Sequence, residues 1–114
     1  MTRGEIWWCD FGVPFGSEVG FLRPVIIIQN DILNESNLMT SVVVPITSNL
    51  AYAEFENNVY LDRKETKLSK DSVAQSHLII HVDKRRLKNK VSKLSRLKVE
   101  KIIECLNKVV SGES

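Results

Sequence analysis

Three groups of side chains in this sequence have the types to act on a ligand. Arg23 stands directly before Pro24 and the β-branched run Val25–Ile28 in "GFLRPVIIIQN". A guanidinium offers a planar fork of donors that fits a phosphate through two parallel hydrogen bonds. The segment "VPITSN" closes a second apolar run with Thr47, Ser48 and Asn49, two hydroxyls followed by an amide. His77 and His81 precede Asp83 in "HLIIHVD". Histidine moves protons near neutral pH and ligates metals. Taken singly, each group also has an ordinary reading: a cap or strand-end ion pair for Arg23, and turn chemistry for Thr47 to Asn49. In a strand, residues i and i+4 share a face but lie ~13 Å apart at ~3.3 Å per residue, too far for one ion or phosphate to bridge. Structural or solvent-facing histidines are therefore the simpler reading. There is no GxxxxGK phosphate loop, no paired-cysteine zinc spacing and no nucleophile elbow, and nothing calls for a metal or a cofactor.

These groups need elements to hold them. "EIWWCDF" (Glu5 to Phe11) reads as a first strand, with Trp7 and Trp8 on opposite faces. One tryptophan can enter the core; the other suits a dimer interface or a place under a loop. "GVPFGSEVG" (Gly12 to Gly20) reads as a long flexible loop beside Arg23, able to close over a ligand. Val25–Gln29 is a buried strand, and Asn30 or Asp31 can cap a short helix. "TSVVVPITS" (Thr40 to Ser48) is another strand, in which Pro45 implies a bulge or an unpaired edge position. Asn57–Asp62 is a short strand, Asp71–Asp83 is one bent strand or two short ones, and Lys90–Leu94 is a weak strand. Ser95 caps a last helix whose Val99, Ile102, Ile103, Leu106, Val109 and Val110 make one apolar face, and Gly112 ends it. Strands without crossover helices between them exclude parallel βαβ units. The expected architecture is a small, mostly antiparallel β-barrel plugged or flanked by a C-terminal helix.

Composition bounds the rest. The 114 residues suit one domain spanning 1–114, with 43% hydrophobic and 26% charged residues as in a soluble globular protein. No apolar run approaches a membrane span, and the N-terminus lacks the pattern of a signal peptide, so a cytoplasmic location is the default. Cys9 and Cys105 have no metal-like spacing and read as buried free thiols. Net charge is only +2, but Lys84 to Lys101 carries nine Lys or Arg and Glu100 as its one acid. That run is either a solvated face or a surface for phosphates or an acidic chain.

Together, "RGEIWWCDFG", "GSEVGFLRPVIIIQND", "VVVPITSN" and "LSKDSVA", in this order, resemble the MazF/PemK family of toxins from toxin–antitoxin pairs, over nearly the whole chain. The resemblance implies a barrel of the Src-homology-3 type (PemK/CcdB-like) assembled as a homodimer. It implies a metal-independent endoribonuclease that cuts single-stranded RNA, chiefly mRNA, to 2′,3′-cyclic phosphate and 5′-hydroxyl ends. It also implies an acidic, partly disordered antitoxin that blocks the RNA groove. The family's catalytic arginine falls on Arg23 and its hydroxyl residue on Thr47. Phe15, Ser17 and Glu18 in the loop would contact RNA bases, together with Ser48, Asn49, Gln75 and His77. The chain departs from the family at Leu78 and Ile80, where a polar glutamine and an arginine are common. A second positive charge is then missing from that segment, and His77 or His81 is the candidate to compensate, His81 by proton transfer. Two alternatives go with this reading: a non-enzymatic CcdB-like toxin that binds DNA gyrase through the exposed end of the last helix, or a catalytically inactive RNA-binding domain.

Overall fold

β1 (Glu5–Asp10) and β2 (Leu22–Ile27) form an antiparallel pair, Ile6 opposite Ile26 and Cys9 opposite Arg23. β3 (Thr40–Thr47) joins β2 with Val25 opposite Pro45. Strand alternation sorts these three strands into two faces. Ile6, Ile26, Ile28, Val44 and Ile46 feed one buried cluster; Cys9, Val25, Ile27 and Val43 feed another. Val25, Ile26 and Ile27 are wholly buried, so β2 is fixed from both sides. Burying each such side chain contributes ~1.5–3 kcal/mol.

The computed structural model describes residues 1–112. The remaining elements are α1 (Asp31–Asn34), β4 (Asn58–Leu61), α2 (Arg63–Thr66), β5 (Ser72–Gln75), β6 (Ile80–Asp83), β7 (Leu87–Lys93) and α3 (Arg96–Ser111). The antiparallel sheet runs β4-β5-β3-β2-β1-β7, and β6 makes seven strands by pairing with β3. β3 forks: Thr40 to Val43 pair with β6, whereas Ile46 and Thr47 pair with β5. Pro45 sits in the fork. The Val42 carbonyl accepts from Ile28 and Gln29 on the β2 side, so by alternation position 45 faces the other edge, where no residue of β5 or β6 is registered with it. Pro45 keeps its place opposite Val25 without a register shift and, lacking an N–H, is the expected unpaired position.

The sheet curves around the cluster that α3 covers with Val99, Ile102, Cys105 and Leu106. The expected barrel does not close by hydrogen bonds, because β4 and β7 end the strand path. α2, which the sequence reading does not assign, fills that opening. Its capping box joins Asp62 and Glu65, the Ser92 hydroxyl of β7 donates to the Thr66 carbonyl, and Lys98 of α3 lies 3.7 Å from Glu65. Asp71–Asp83 is two strands separated by a 3₁₀ turn at Ser76–Leu78. Asn30 caps α1, Ser95 caps α3, and Gly112 ends α3 at φ 75°, as expected. Val110 departs from the expected apolar face and is 84% exposed, while Cys105 joins the core instead. No helix among the described residues is long and apolar enough to cross a membrane.

Candidate active site

Register brings Arg23 and Thr47 together. Extending the Val25–Pro45 pairing by two residues sets Arg23 directly across from Thr47, on the same face. Alternation makes this a non-hydrogen-bonded pair, whose side chains approach closely, with Cβ atoms ~4.5–5.5 Å apart. On the far side of β3, Thr47 pairs with Val73, so the start of β5 and the segment before it flank the same strand end. The result is a cleft of about 410 Å³ lined by Trp8, Leu22, Arg23, Pro24, Ile46, Thr47, Ser48, Leu68, Ser69, Lys70 and Ser72. Its charged groups are Arg23 and Lys70; no carboxylate lines it. Neither cation has an ion-pair partner among the described residues, so the cleft presents two positive charges, four hydroxyls and an indole. The salt-bridge reading of Arg23 thus gives way to an unpartnered guanidinium.

The hydroxyls are not equivalent. The Asn49 amide donates to Thr47 Oγ1 at 3.2 Å, which leaves the Thr47 proton to be donated elsewhere. Ser72 Oγ donates to the Lys70 carbonyl at 3.0 Å and is buried. Asn49 accepts through Oδ1 from Ala51 and caps the 3₁₀ turn Leu50–Glu54, so its carbonyl is occupied by turn chemistry. Ser48 lines the cleft; Asn49 does not.

Backbone and side-chain hydrogen bonds organise the loop. Its neck is drawn together where the Phe11 amide donates to the Phe21 carbonyl and the Phe21 amide to the Gly12 carbonyl. Gly20 packs on the Pro14 ring so closely that a Cβ there would lie 2.4 Å from it. At the tip, the Phe15 amide donates to Glu18 Oε1 and the Glu18 amide returns to the Phe15 carbonyl. Phe15 is 86% exposed, so it is not packed on the sheet. Ser17 is exposed beside it. Glu18 lines a second cleft of about 330 Å³ with Val13, Pro14, Ile80, His81 and Arg86.

Neither histidine joins Arg23 within one chain. His81 lies in that second cleft. His77 stacks on Tyr52, centroids 6.4 Å apart, with Nδ1 3.2 Å from Asn58 Oδ1. Asn58 Nδ2 donates to the Tyr52 carbonyl, so its oxygen faces His77 and accepts from Nδ1–H. Gln75 is 3% exposed and off the cleft wall; its Oε1 and the Ser76 hydroxyl are buried without a partner among the described residues. Ile80 borders the His81 cleft, so the charge common in the family at that position would not have faced Arg23 in this chain.

Trp8, Ser69, Lys70 and Ser72 are wall residues that the sequence reading leaves unassigned. The available signal was the segment "LSKDSVA", used as a mark of resemblance but not as a source of site residues. Most of the basic run is tied down. Arg85 forks onto Asp83 at 2.9 and 3.0 Å, Lys90 lies 3.2 Å from Glu5 and Arg96 lies 3.1 Å from Glu100. Lys84 and Arg86 donate to the backbone carbonyls of Asn34 and Asp10. Both cysteines are buried free thiols, and burial pushes Cys9 up to about 11. No three His, Cys, Asp or Glu side chains converge among the described residues so as to hold a metal ion.

A model of the PemK-like, MazF-like toxin family of type II toxin–antitoxin systems matches residues 2–110. Endoribonuclease MazF2 of Mycobacterium bovis and endoribonuclease MazF6 of Mycobacterium tuberculosis are each 36% identical over 110 residues, 96% of this chain and 96% of each relative. Among solved structures, MazF from Deinococcus radiodurans superposes with a TM-score of 0.81 at 18% identity, covering 97% of this chain and 96% of that one. An endoribonuclease in complex with its cognate antitoxin from a mycobacterial species gives a TM-score of 0.79 at 18% identity, covering 100% and 98%. At that identity the structural likenesses speak for the fold.

Proposed function

The chain belongs to the PemK-like, MazF-like toxin family of type II toxin–antitoxin systems, and from that premise we propose that it is an endoribonuclease toxin using the Arg23–Thr47 cleft. It cuts single-stranded RNA in the cytoplasm as a homodimer, stops translation and growth, and is neutralised by a cognate acidic antitoxin. The observation that carries the site is the unpartnered guanidinium opposite a hydroxyl, in a cleft lined by cations but no carboxylate.

In RNA the 2′-oxygen can attack the adjacent phosphorus without a metal. The new O2′–P bond closes a 2′,3′-cyclic phosphate while the P–O5′ bond breaks. A proton leaves O2′, and one reaches O5′ to give the 5′-hydroxyl. The phosphorane in between carries extra negative charge on its non-bridging oxygens. Arg23 meets that charge with two parallel hydrogen bonds. Thr47 adds a third through its hydroxyl proton, while its oxygen accepts from the Asn49 backbone N–H. A guanidinium does not deprotonate in proteins, so Arg23 clamps rather than acts as base. One chain's cleft holds no carboxylate or imidazole; in this reading water takes the O2′ proton and water gives one back to O5′. Proton transfer by His81 requires RNA to span both clefts. The exposed loop tip with Phe15, Ser17 and Glu18 reads bases by stacking and hydrogen bonding.

The test is digestion of a mixed RNA in EDTA, with the new ends mapped and their chemistry identified. Cleavage to cyclic-phosphate ends that Arg23→Ala abolishes and His81→Ala leaves intact is the expected result. Intact RNA with gyrase inhibition would favour the CcdB-like alternative, which would use the exposed end of α3 at Val110. RNA binding without cleavage would mark an inactive interaction domain.

A further inference from the structure

Lys70 is the second cation of the Arg23 cleft, and the surrounding chain holds it there without a counter-charge. Its backbone is fixed on both sides. Lys67 closes α2 in the left-handed region at φ 66°, and the Leu68 amide donates to Thr66 Oγ1 at 3.1 Å. The buried Ser72 hydroxyl then takes the Lys70 carbonyl. The nearest acid in sequence, Asp71, is committed elsewhere: it accepts from the Arg63 amide at 2.9 Å and from the Tyr60 hydroxyl. The Arg63 amide, followed by the Tyr60 hydroxyl, holds the Asp71 carboxyl below the usual carboxylate range. Lys70 is exposed, and its ammonium has no hydrogen-bond or ion-pair partner among the described residues.

We propose that Lys70 is a substrate-contacting residue of this site, a point-charge clamp on an RNA phosphate that shares the cleft with Arg23 and Thr47. The inference rests on the endoribonuclease reading. Arg23 projects from β2 and Lys70 from the segment before β5, with Thr47 of β3 between them. A phosphate over Thr47 therefore meets positive charge from two sides. An ammonium suits this task, since its three rotatable donors follow a phosphorus centre whose oxygens rearrange.

The experiment compares wild type, Lys70→Met, Lys70→Arg and Arg23→Ala, with thermal unfolding to verify folding. It measures steady-state RNA cleavage, and the salt dependence of binding to an RNA whose cleavage-site 2′-hydroxyl is replaced by hydrogen. Lys70→Met is expected to lower kcat/KM about tenfold to a hundredfold, as for loss of a hydrogen bond to a charged group. The slope of log affinity against log salt should fall by about 0.7, one phosphate contact on a single strand. Lys70→Arg should keep most of both. If Lys70→Met cuts at the wild-type rate while Arg23→Ala is inactive, the Lys70 assignment is wrong and the site reading stands. If Arg23→Ala itself cuts normally, the site reading falls and takes Lys70 with it. A lower rate at unchanged salt slope makes Lys70 a support of the loop and also overturns the clamp.

Discussion

Glu5 and Arg23 lie at opposite ends of the β1–β2 pair, and the fold treats their charges in opposite ways. Glu5 is 7% exposed and surrounded by donors: Trp7 Nε1 at 2.9 Å, the Thr2 amide and hydroxyl at 3.1 and 2.9 Å, and Lys90 at 3.2 Å. Burial alone would raise its carboxyl, but these hydrogen bonds outweigh it and bring the group down to about 2. Arg23 has a hydroxyl across from it, another cation along the same cleft, and no anion. A charge that serves folding is saturated with partners, because an unpaired buried charge is costly. A charge kept at a half-open cleft without one has its partner still to come. The contrast predicts that mutations at the two ends fall on different observables.

The largest effect should be on catalysis. Arg23→Ala is expected to lower RNA cleavage by about a thousandfold, the scale of removing a principal donor to a developing oxyanion. Its unfolding free energy should change by less than about 0.5 kcal/mol, because no partner is stranded. Parallel cleavage assays and urea titrations check both halves; a large stability loss would break the comparison. Glu5→Gln should do the reverse. A pKa lowered from the ordinary 4.5 to about 2 corresponds to about 3 kcal/mol of native-state stability. Because the folded value is depressed, that stability is fully present above pH 5 and is lost as pH falls from 4.5 through 2. The mutant should flatten this part of the stability–pH curve, read by tryptophan fluorescence through Trp7. Its residual folded fraction should still cut RNA.

Next in size is Thr47→Val, which keeps the shape and removes the hydroxyl. Losing one hydrogen bond to a charged group should cost about tenfold to a hundredfold in kcat, while Thr47→Ser should recover most of it. If Thr47→Val lowered stability and left kcat alone, Thr47 would belong with Glu5 as a folding group.

The same contrast explains what could be read from the sequence. Strand segments and caps were legible where a local rule acts alone: Ser95 and Gly112 bound α3, and Pro45 announces a bulge or an unpaired position. Arg23 and Thr47 were legible as a pair through the family resemblance; the geometric reason for their meeting, a shared register across two strands, is non-local. Lys70 and Trp8 were not legible for the same cause. Nothing near Lys70 in sequence says that Asp71 turns away to Arg63 and Tyr60, and Trp8 could have faced a partner or a loop as readily as a cleft. α2 escaped notice because four residues hold no helical period, although Asp62 and Glu65 already spell a capping box. Barrel closure failed as an expectation because hydrogen bonding between β4 and β7 is replaced by side-chain contacts through α2.

The smallest effect tests the loop, which lies between the two extremes. Glu18 spends its carboxylate on the Phe15 amide, so it is partnered like Glu5, yet the turn it closes leaves Phe15 86% exposed like a residue awaiting a ligand. A large exposed aromatic on a tied-down tip contributes nothing to a core, so Phe15→Ala should leave unfolding unchanged. Base–aromatic stacking contributes ~1–3 kcal/mol per base, and the lower end applies at an exposed tip, giving about a fivefold to tenfold rise in KM with kcat preserved. Phe15→Trp should restore KM. Glu18→Gln keeps an acceptor for the Phe15 amide and should match wild type unless Glu18 reads a base, in which case the mapped cut sites change while the rate at the preferred site falls. If Phe15→Ala lowered kcat rather than raising KM, the loop would act on the chemistry itself, and the boundary between the catalytic cleft and the base-reading loop would have to be redrawn through Leu22, the wall residue that joins them.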